Sequence, residues 1–119
     1  MKKILVIEDN ENNLYLIKFM LKKTGYQVIE AKDGITGVAL ALKEKPDLIL
    51  MDIQLPDING MEATQRIRAS ETEGKMPIVA VTSYAMVGDR EKALAAGCTG
   101  YIEKPIDPET FIGKVQHYL

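Results

Sequence analysis

The chain has 119 residues, of which 46% are hydrophobic and 27% charged, and its formal net charge is −2. This length suits one domain, and the charge argues against a nucleic-acid-binding protein, which needs a basic surface to bind phosphates. The single cysteine, Cys98, excludes an internal disulfide bond and suits a reducing compartment. The first apolar run, Ile4–Ile7, is too short for a signal peptide, and no run approaches a membrane span. We therefore expect a cytoplasmic protein without a membrane partner.

Short apolar runs alternate along the chain with longer segments of helical periodicity. The runs predict strands at Lys3–Ile7, Gln27–Glu30, Leu48–Met51, Ile78–Val81 and Thr99–Ile102. The periodic segments predict helices at Asn12–Lys23, Ile35–Lys45, Met61–Ala69 and Asp89–Ala96, and a last helix that reaches Tyr118 with Asp107 as its N-cap. Gly25 and Gly97 are expected to end the first and fourth helices. This alternation predicts an α/β fold, a doubly wound parallel sheet with helices on both faces.

The strand and helix units follow one another without a linker or a low-complexity segment between them. The last predicted helix occupies the end of the sequence, which leaves no room for another folded unit. We therefore predict a single domain over residues 1–119, with no output domain.

Chemically capable residues follow four of the predicted strands. In a doubly wound sheet, ligands bind beside the carboxyl ends of the strands, so these residues are expected to meet at one edge. They are Glu8 and Asp9 after the first strand, Asp52 after the third, Thr82 and Ser83 after the fourth, and Glu103, Lys104 and Pro105 after the fifth. Ordinary loop polarity could explain one or two of them. It does not explain why the first, third and fourth strands each stop at an acidic residue or a threonine.

Three crowded carboxylates, those of Glu8, Asp9 and Asp52, repel one another unless positive charge compensates them. Lys104 is one source of such charge. Mg²⁺, or Mn²⁺ in its place, is another, because Mg²⁺ binds carboxylates together with phosphate oxygens. This combination suits phosphoryl transfer, in which positioning and charge neutralisation supply most of the catalysis. Asp52 is the expected nucleophile, because it follows the most apolar of the predicted strands.

The ordered set of these motifs resembles the response-regulator receiver domain of two-component signalling over essentially the whole chain. The residues that carry the resemblance are Glu8-Asp9, Asp52 with Pro56 and Gly60 after it, Thr82, and Lys104-Pro105. The segments Leu48–Pro56 and Val81–Asp89 look most like single-domain regulators of bacterial cell fate and the receivers of hybrid histidine kinases. The family implies a flavodoxin-like sheet with the strand order 2-1-3-4-5.

The resemblance also implies roles for individual residues. Asp52 would accept a phosphoryl group from a phosphohistidine on a histidine kinase or a histidine phosphotransfer protein. Asp9 would be the main carboxylate on Mg²⁺, with Glu8 reaching the ion through water and the backbone carbonyl of Gln54 as a further ligand. The positions expected to tune water access to the acyl phosphate are Gln54, Ser83 and Tyr84.

On the same resemblance, Lys104 and Thr82 would bind phosphoryl oxygens, and a cis peptide bond is expected before Pro105. Thr82 would move toward the phosphate, and Tyr101 would turn inward into the space that Thr82 vacates. The face formed by the fourth helix, the fifth strand and the fifth helix would then change and bind a downstream protein. Alternatively, Tyr101 is only an aromatic residue on a surface strand.

The sequence leaves three other functions open. A flavin or nucleotide module with this kind of sheet would need a glycine-rich, amide-donating loop after the first strand, where this chain has acidic residues. A Mg²⁺-dependent aspartate-nucleophile phosphatase would need a second carboxylate two residues beyond the nucleophile, where Gln54 stands. A receiver-like docking module without phosphotransfer would retain the same residues, and the sequence does not exclude it.

Other polar residues near the predicted site have simpler interpretations. Asn10, Asn12 and Asn13 are expected to cap the first helix rather than to belong to a calcium loop. The segment Asp57–Gly60 is expected to form a turn and a helix cap rather than a ligand set. Cys98 is expected to pack in the core.

Overall fold

The computed structural model describes residues 1–70, 76–82 and 89–119. Its strands are β1 (Lys3–Ile7), β2 (Gln27–Ala31), β3 (Leu48–Asp52), β4 (Ile78–Thr82) and β5 (Gly100–Glu103). Its helices are α1 (Glu11–Thr24), α2 (Gly34–Glu44), α3 (Gly60–Ser70), α4 (Asp89–Ala96) and α5 (Phe111–His117). Strands and helices alternate along the chain, as the sequence predicts.

The strands form one parallel sheet in the order β2-β1-β3-β4-β5, which is the predicted flavodoxin-like order. The chain moves from β1 outward to β2 and then returns to place β3 on the other side of β1. The strand order thus reverses between β1 and β3, where Ile7 lies opposite Met51. Ligands bind at this kind of switch point, beyond the carboxyl ends of the strands.

Helices cover both faces of the sheet, and this explains why the strands are continuously apolar. Alternate strand residues belong to two separate buried clusters. The first cluster contains Val6 and Leu50 and is completed by residues of α1 and α5. The second contains Ile7 and Met51 and is completed by residues of α2, α3 and α4. Cys98 is buried in this second cluster, as predicted. Within the part of the chain that the structure describes, no helix is both long enough and apolar enough to cross a membrane.

The predicted helix ends are confirmed at several positions. Asn10 is the N-cap of α1, and its side chain accepts a hydrogen bond from the backbone N–H of Asn13 at 3.0 Å. Asn12 and Asn13 themselves lie inside the helix. Gly25 and Gly97 follow α1 and α4 with φ angles of 102° and 114°. These helices therefore begin and end where local side-chain and backbone preferences favour it.

The prediction for the start of the last helix is wrong. The helix α5 begins at Phe111, and its N-cap is Thr110 rather than Asp107. The Asp107 carboxylate instead accepts a hydrogen bond from the N–H of Glu109 at 3.0 Å. Because this bond closes a local turn two residues long, Asp107 caps the turn that precedes α5. The helix also ends at His117, one residue before the predicted end at Tyr118.

Four strands, β2 to β5, end one residue later than the sequence pattern indicates, and two of them carry predicted site residues. β3 ends at Asp52 and β4 ends at Thr82, so both residues belong to the sheet rather than to the loops after it. Close packing behind Asp52 requires glycine at position 60, where a Cβ atom would lie 2.5 Å from the Asp52 carbonyl oxygen. The backbone of Asp52 is therefore held by β4, in which Val81 lies opposite it, and by the first residue of α3.

Candidate functional site

A cleft opens at the carboxyl edge of the sheet, beside the switch point between β1 and β3. The predicted residues that line it are Glu8, Asp9, Asp52, Gln54, Lys104 and Pro105, and Asn10, Glu11 and Asn13 from the start of α1 join them. Glu8 follows β1 directly, and extending the β1–β3 register by one residue places it opposite Asp52. The topology therefore brings together residues from three separate segments of the sequence.

Three carboxylates form a tight cluster in this cleft. Glu8, Asp9 and Asp52 each contribute an oxygen that lies within 4.8 Å of the others. Glu8 is 1% exposed and Asp52 is 5% exposed, whereas Asp9 is open to solvent. Two of the negative charges are thus taken largely out of water, which is costly unless positive charge compensates them.

Lys104 supplies positive charge to the two buried carboxylates. Its Nζ atom lies 2.6 Å from Glu8 Oε1 and 3.6 Å from Asp52 Oδ2. The contact with Glu8 is a short ion pair between two buried side chains. Lys104 therefore approaches Glu8 more closely than it approaches the predicted nucleophile.

The electrostatic environment of Asp52 favours its protonated form. Burial raises the pKa of Asp52 to about 7, and the neighbouring Glu8 carboxyl adds to the rise. Lys104 and the backbone N–H of Gln54 act in the opposite direction. The Gln54 N–H donates to Asp52 Oδ1 at 3.1 Å. One positive side chain thus leaves the carboxylate cluster incompletely compensated.

The cluster fits a divalent cation. Its oxygen ligands are of the type that Mg²⁺ prefers, and they lie on one wall of an open cleft that leaves room for water or phosphate oxygens. Lys104 is shared between two carboxylates, and burial and Glu8 hold the pKa of Asp52 above its usual range, so added positive charge would favour the ionised form of the cluster. The residues that could hold the ion are Asp9 and Asp52, with Glu8 beside them.

The remaining predicted residues follow β4 and β5 and do not all line the cleft. Thr82 is buried at the end of β4, and its carbonyl accepts a hydrogen bond from the backbone N–H of Lys104 at 2.8 Å. The peptide bond between Lys104 and Pro105 is cis, as the resemblance implies. Glu103 is exposed at the end of β5. Ser83 and Tyr84 lie outside the residues that the structure describes.

Tyr101 lies on the same face of the sheet as Thr82. In the register of β4 and β5, Tyr101 is opposite Ala80, and Thr82 is two residues further along β4. Residues two apart on a strand share a face, so Tyr101 and Thr82 are diagonal neighbours. Tyr101 is half-buried and packs against the second core cluster.

The contact made by Asp57 was not predicted from the sequence. The pattern predicts a turn and a helix cap at Asp57–Gly60, and Asn59 does cap α3 by accepting a hydrogen bond from the Glu62 N–H at 2.9 Å. Asp57, however, binds the backbone of α2, which is more than twenty residues earlier in the chain. A local motif could not reveal this partner, because the contact depends on how two loops pack.

Comparison with known proteins identifies the class to which this fold and site belong. A model of the response regulator receiver domain matches residues 4–116. The chain belongs to this family, so the resemblance predicted from the sequence is confirmed. It is a receiver domain of two-component signalling, and such domains act as signalling switches rather than as conventional enzymes.

Particular relatives resemble the chain over its whole length. It is 40% identical to the polar-differentiation response regulator DivK of Brucella anthropi over 118 aligned residues. The aligned region covers 99% of this chain and 96% of the relative. The DivK protein of Brucella ovis is 41% identical over the same length and with the same coverage. The chain is thus similar to single-domain response regulators, as predicted.

Solved structures agree with this assignment. The receiver domain of the sensor histidine kinase PA1611 from Pseudomonas aeruginosa PAO1 superposes with a TM-score of 0.90 at 40% identity, covering 98% of this chain and 96% of that one. A magnesium ion is coordinated in the active-site cleft of that domain. The chemotaxis protein CheY4 of Vibrio cholerae gives a TM-score of 0.93 at 29% identity, covering 100% of this chain and 99% of that one.

Proposed function

We propose that Asp52 is the phosphoacceptor of a two-component phosphorelay and that a Mg²⁺ ion assists the transfer. The observation that carries the proposal is the carboxylate cluster of Glu8, Asp9 and Asp52 with Lys104 at the switch point of the sheet. The magnesium ion in the similar PA1611 receiver supports the choice of metal, and Mn²⁺ has the charge and ligand preference to replace it.

The proposed reaction transfers a phosphoryl group from a phosphohistidine to an oxygen of Asp52. A P–O bond forms at Asp52, the P–N bond of the donor breaks, and the released imidazole nitrogen takes up a proton. Asp52 must be ionised to react, and its raised pKa opposes ionisation. A bound Mg²⁺ supplies positive charge that favours the carboxylate and neutralises phosphoryl oxygens.

The chain's own residues have distinct parts in this proposal. Asp9 is the exposed carboxylate at the mouth of the cleft and is the main protein ligand for the ion, with the backbone carbonyl of Gln54 as a further ligand. Lys104, which contacts Asp52, and Thr82, at the end of the neighbouring strand β4, bind phosphoryl oxygens. Glu8 lies beside these ligands and reaches the ion through water.

The switch reaches its partners through the face that contains Tyr101. The phosphoryl group carries about −1.5 to −2 charge and takes the place of the single charge of the Asp52 carboxylate, which biases two conformations of similar energy. Thr82 and Tyr101 are diagonal neighbours on one sheet face, so a shift of Thr82 changes the packing space of the tyrosine ring. The α4-β5-α5 face then binds a downstream protein, and a histidine kinase or histidine phosphotransfer protein supplies the phosphoryl group.

Intact mass spectrometry tests the proposal directly. The protein is incubated with Mg²⁺ and acetyl phosphate, alongside the Asp52→Asn variant and a Mg²⁺-free sample. We expect the wild type to gain one phosphoryl group and both controls to gain none. If no gain occurs, the experiment is repeated with a phosphorylated histidine phosphotransfer protein as donor. Failure with both donors would replace phosphotransfer with the alternative of a docking module.

A further inference from the structure

A carboxylate outside the cleft joins two of the loops around it. Asp57 Oδ1 accepts a hydrogen bond from the backbone N–H of Gly34 at 2.8 Å, and Asp57 Oδ2 accepts one from the N–H of Ile35 at 2.9 Å. Gly34 and Ile35 are the first two residues of α2. The N–H groups in the first turn of a helix have no partner within the helix, so Asp57 satisfies two of them.

The α2 helix also has a cap of its own. The side chain of Asp33 accepts a hydrogen bond from the Thr36 N–H at 2.7 Å, as an N-cap residue does. Two carboxylates therefore bind the same helix end, one from the adjacent residue and one from a loop far along the chain. Asp33 already supplies the N-cap of α2, so the contact with Asp57 does more than begin the helix: it also fixes the loop that carries Asp57.

The contact is electrostatically favourable. A carboxylate at a helix N-terminus interacts with the positive end of the helix dipole and with N–H donors. Burial alone would raise the pKa of Asp57, but hydrogen bonds from Ile35 and Gly34 outweigh it and lower this pKa to about 2. Asp57 is therefore ionised, and the contact is made at full charge, throughout the physiological range of pH.

Apolar packing accompanies the polar contact. Ile58 packs against the second core cluster, and its side chain also lies directly against the backbone of Gly34. A Cβ atom at position 34 would collide with Ile58 Cγ1 and would lie 3.2 Å from Asp57 Oδ1. The glycine at the start of α2 thus allows the loop between β3 and α3 to come this close.

The same loop contains Gln54, whose backbone belongs to the proposed metal site. Gln54 lines the cleft, and its N–H binds Asp52 Oδ1. The base of the loop is closed by a hydrogen bond of 2.8 Å from the Gly60 N–H to the Ile53 carbonyl. Asp57 lies between Gln54 and Gly60 in the sequence and attaches the outer part of the loop to the start of α2.

We propose that Asp57 is a positioning residue for the cation site. By fastening the loop 53–59 to the start of α2, it keeps the backbone of Gln54 at the wall of the cleft. The inference rests on the proposed function, in which the Gln54 carbonyl is a ligand of Mg²⁺. It extends the site from the carboxylates themselves to α2, which contributes no side chain to the cleft.

The test measures metal affinity in the unphosphorylated protein. Mn²⁺ binding is followed by electron paramagnetic resonance, and Mg²⁺ affinity is obtained by competition, for the wild type, Asp57→Ala, Asp57→Asn and Asp33→Ala. We expect Asp57→Ala to weaken binding about tenfold, as the loss of an outer contact to a metal site commonly does. The amide oxygen of Asp57→Asn can replace one of the two hydrogen bonds, so its affinity should be intermediate.

Asp33→Ala is the matched control, because it removes the other cap of the same helix and leaves the loop contact intact. We expect it to lower the melting temperature without changing metal affinity. If Asp57→Ala does not fold, Asp57→Asn carries the test. Wild-type affinity in the folded Asp57 variants, or equal weakening by Asp33→Ala, would overturn the inference alone. A wild type that binds no Mn²⁺ would contradict the proposed function and the inference together.

Discussion

The ammonium group of Lys104 lies 2.6 Å from Glu8 Oε1, and the two side chains are only 11% and 2% exposed. The same Nζ atom is 3.6 Å from Asp52 Oδ2, so the lysine is shared between two carboxylates and contacts the predicted phosphoacceptor less closely. A phosphoryl group on Asp52 would replace the carboxylate charge of Asp52 with charged phosphoryl oxygens, which offer Lys104 a new anionic partner. We expect the lysine to exchange its contact with Glu8 for a contact with that group.

Replacing Lys104 tests this shared role. We expect Lys104→Met, which keeps an apolar stem and removes the charge, to slow phosphorylation of Asp52 about a hundredfold, because one charged hydrogen-bond donor to the reacting group is lost. The rate is measured by intact mass with Mg²⁺ and acetyl phosphate. Lys43→Met, an exposed change on α2, is the control and should leave the rate unchanged. Equal rates in the two variants would contradict the assignment of Lys104.

The pKa of Asp52 predicts how the stability of the metal-free protein depends on pH. Because burial and Glu8 raise the folded-state pKa to about 7, the folded protein holds a proton that the unfolded chain has already released above about pH 4. This contribution to stability is complete below about pH 4 and is lost as the pH rises toward 7. We expect the melting temperature in EDTA to fall over this range. Asp52→Asn should remove that part of the pH dependence, and an unchanged profile in the variant would contradict the pKa assignment.

Gly60 is expected to tolerate no side chain. A Cβ atom there would lie 2.5 Å from the Asp52 carbonyl oxygen and 2.8 Å from Ile53 Cα, and neither backbone atom can move freely. We expect Gly60→Ala to destabilise the protein by about 1–3 kcal/mol, the usual cost of overpacking, and to slow phosphorylation by displacing Asp52. Chemical denaturation measures the first effect and intact mass the second.

Gly113 provides the matched control for that substitution. It lies inside α5, and a Cβ atom at this position would meet no other atom within 4 Å. Alanine favours helix over glycine by about 1 kcal/mol, so Gly113→Ala should be neutral or stabilising. Equal effects of the two substitutions would show that the close approach of Gly60 to Asp52 does not control stability.

The coupling between Thr82 and Tyr101 can be tested without a natural donor. Beryllofluoride with Mg²⁺ imitates the phosphoryl group, and we expect it to shift the NMR signals of the Tyr101 ring in the wild type. Thr82→Ala should bind beryllofluoride yet show a much smaller shift, because the hydroxyl that moves toward the phosphoryl group is absent. Thr82→Ser, which keeps the hydroxyl, should restore the shift. A full response in Thr82→Ala would contradict the proposed coupling.

Arg68 is expected to stabilise the end of the sheet opposite the cleft. Its guanidinium donates to the carbonyls of Gly97 at 2.9 Å and Met76 at 2.7 Å, and these contacts join α3 to the segments that precede β4 and β5. Hydrogen bonds from a charged group are worth about 1.5–3 kcal/mol, so Arg68→Ala should lower the free energy of unfolding by at least about 2 kcal/mol. Urea denaturation measures the change.

The neighbouring Arg66 is the control for Arg68. Its ion pair with Glu62 lies on the surface of α3, where the two side chains are 51% and 46% exposed. Such pairs contribute about 0.3–0.5 kcal/mol, so Arg66→Ala should change stability little. A loss as large as that of Arg68→Ala would show that the carbonyl contacts of Arg68 are not the cause of its effect.

The fold was largely predictable because its strands are buried on both faces. A run such as Leu48–Met51 has no polar residue to disturb the pattern, and the order of strands and helices allows few topologies. The start of α5 was not predictable, because the Asp107 side chain can cap either a helix or a local turn. The choice depends on which N–H group the carboxylate reaches.

The candidate site was predictable in its composition but not in its internal contacts. The sequence places Glu8, Asp52 and Lys104 at one edge, since parallel strands end on the same side. Which carboxylate Lys104 approaches depends on strand register and side-chain conformation, and no local pattern encodes these. The partner of Asp57 is likewise a product of tertiary packing between two loops.

The burial of β3 gives the proposed phosphoacceptor, Asp52, a rigid support. All five residues of this strand are buried, and it pairs with β1 on one edge and β4 on the other. Strands of this kind open only when the whole domain unfolds, whereas loops open far more often. If Asp52 accepts a phosphoryl group, that group would therefore sit on a rigid strand, and it would be lost through water entering the cleft rather than through local unfolding. Substitutions in loops around the cleft could then change partner binding without moving the proposed phosphoacceptor.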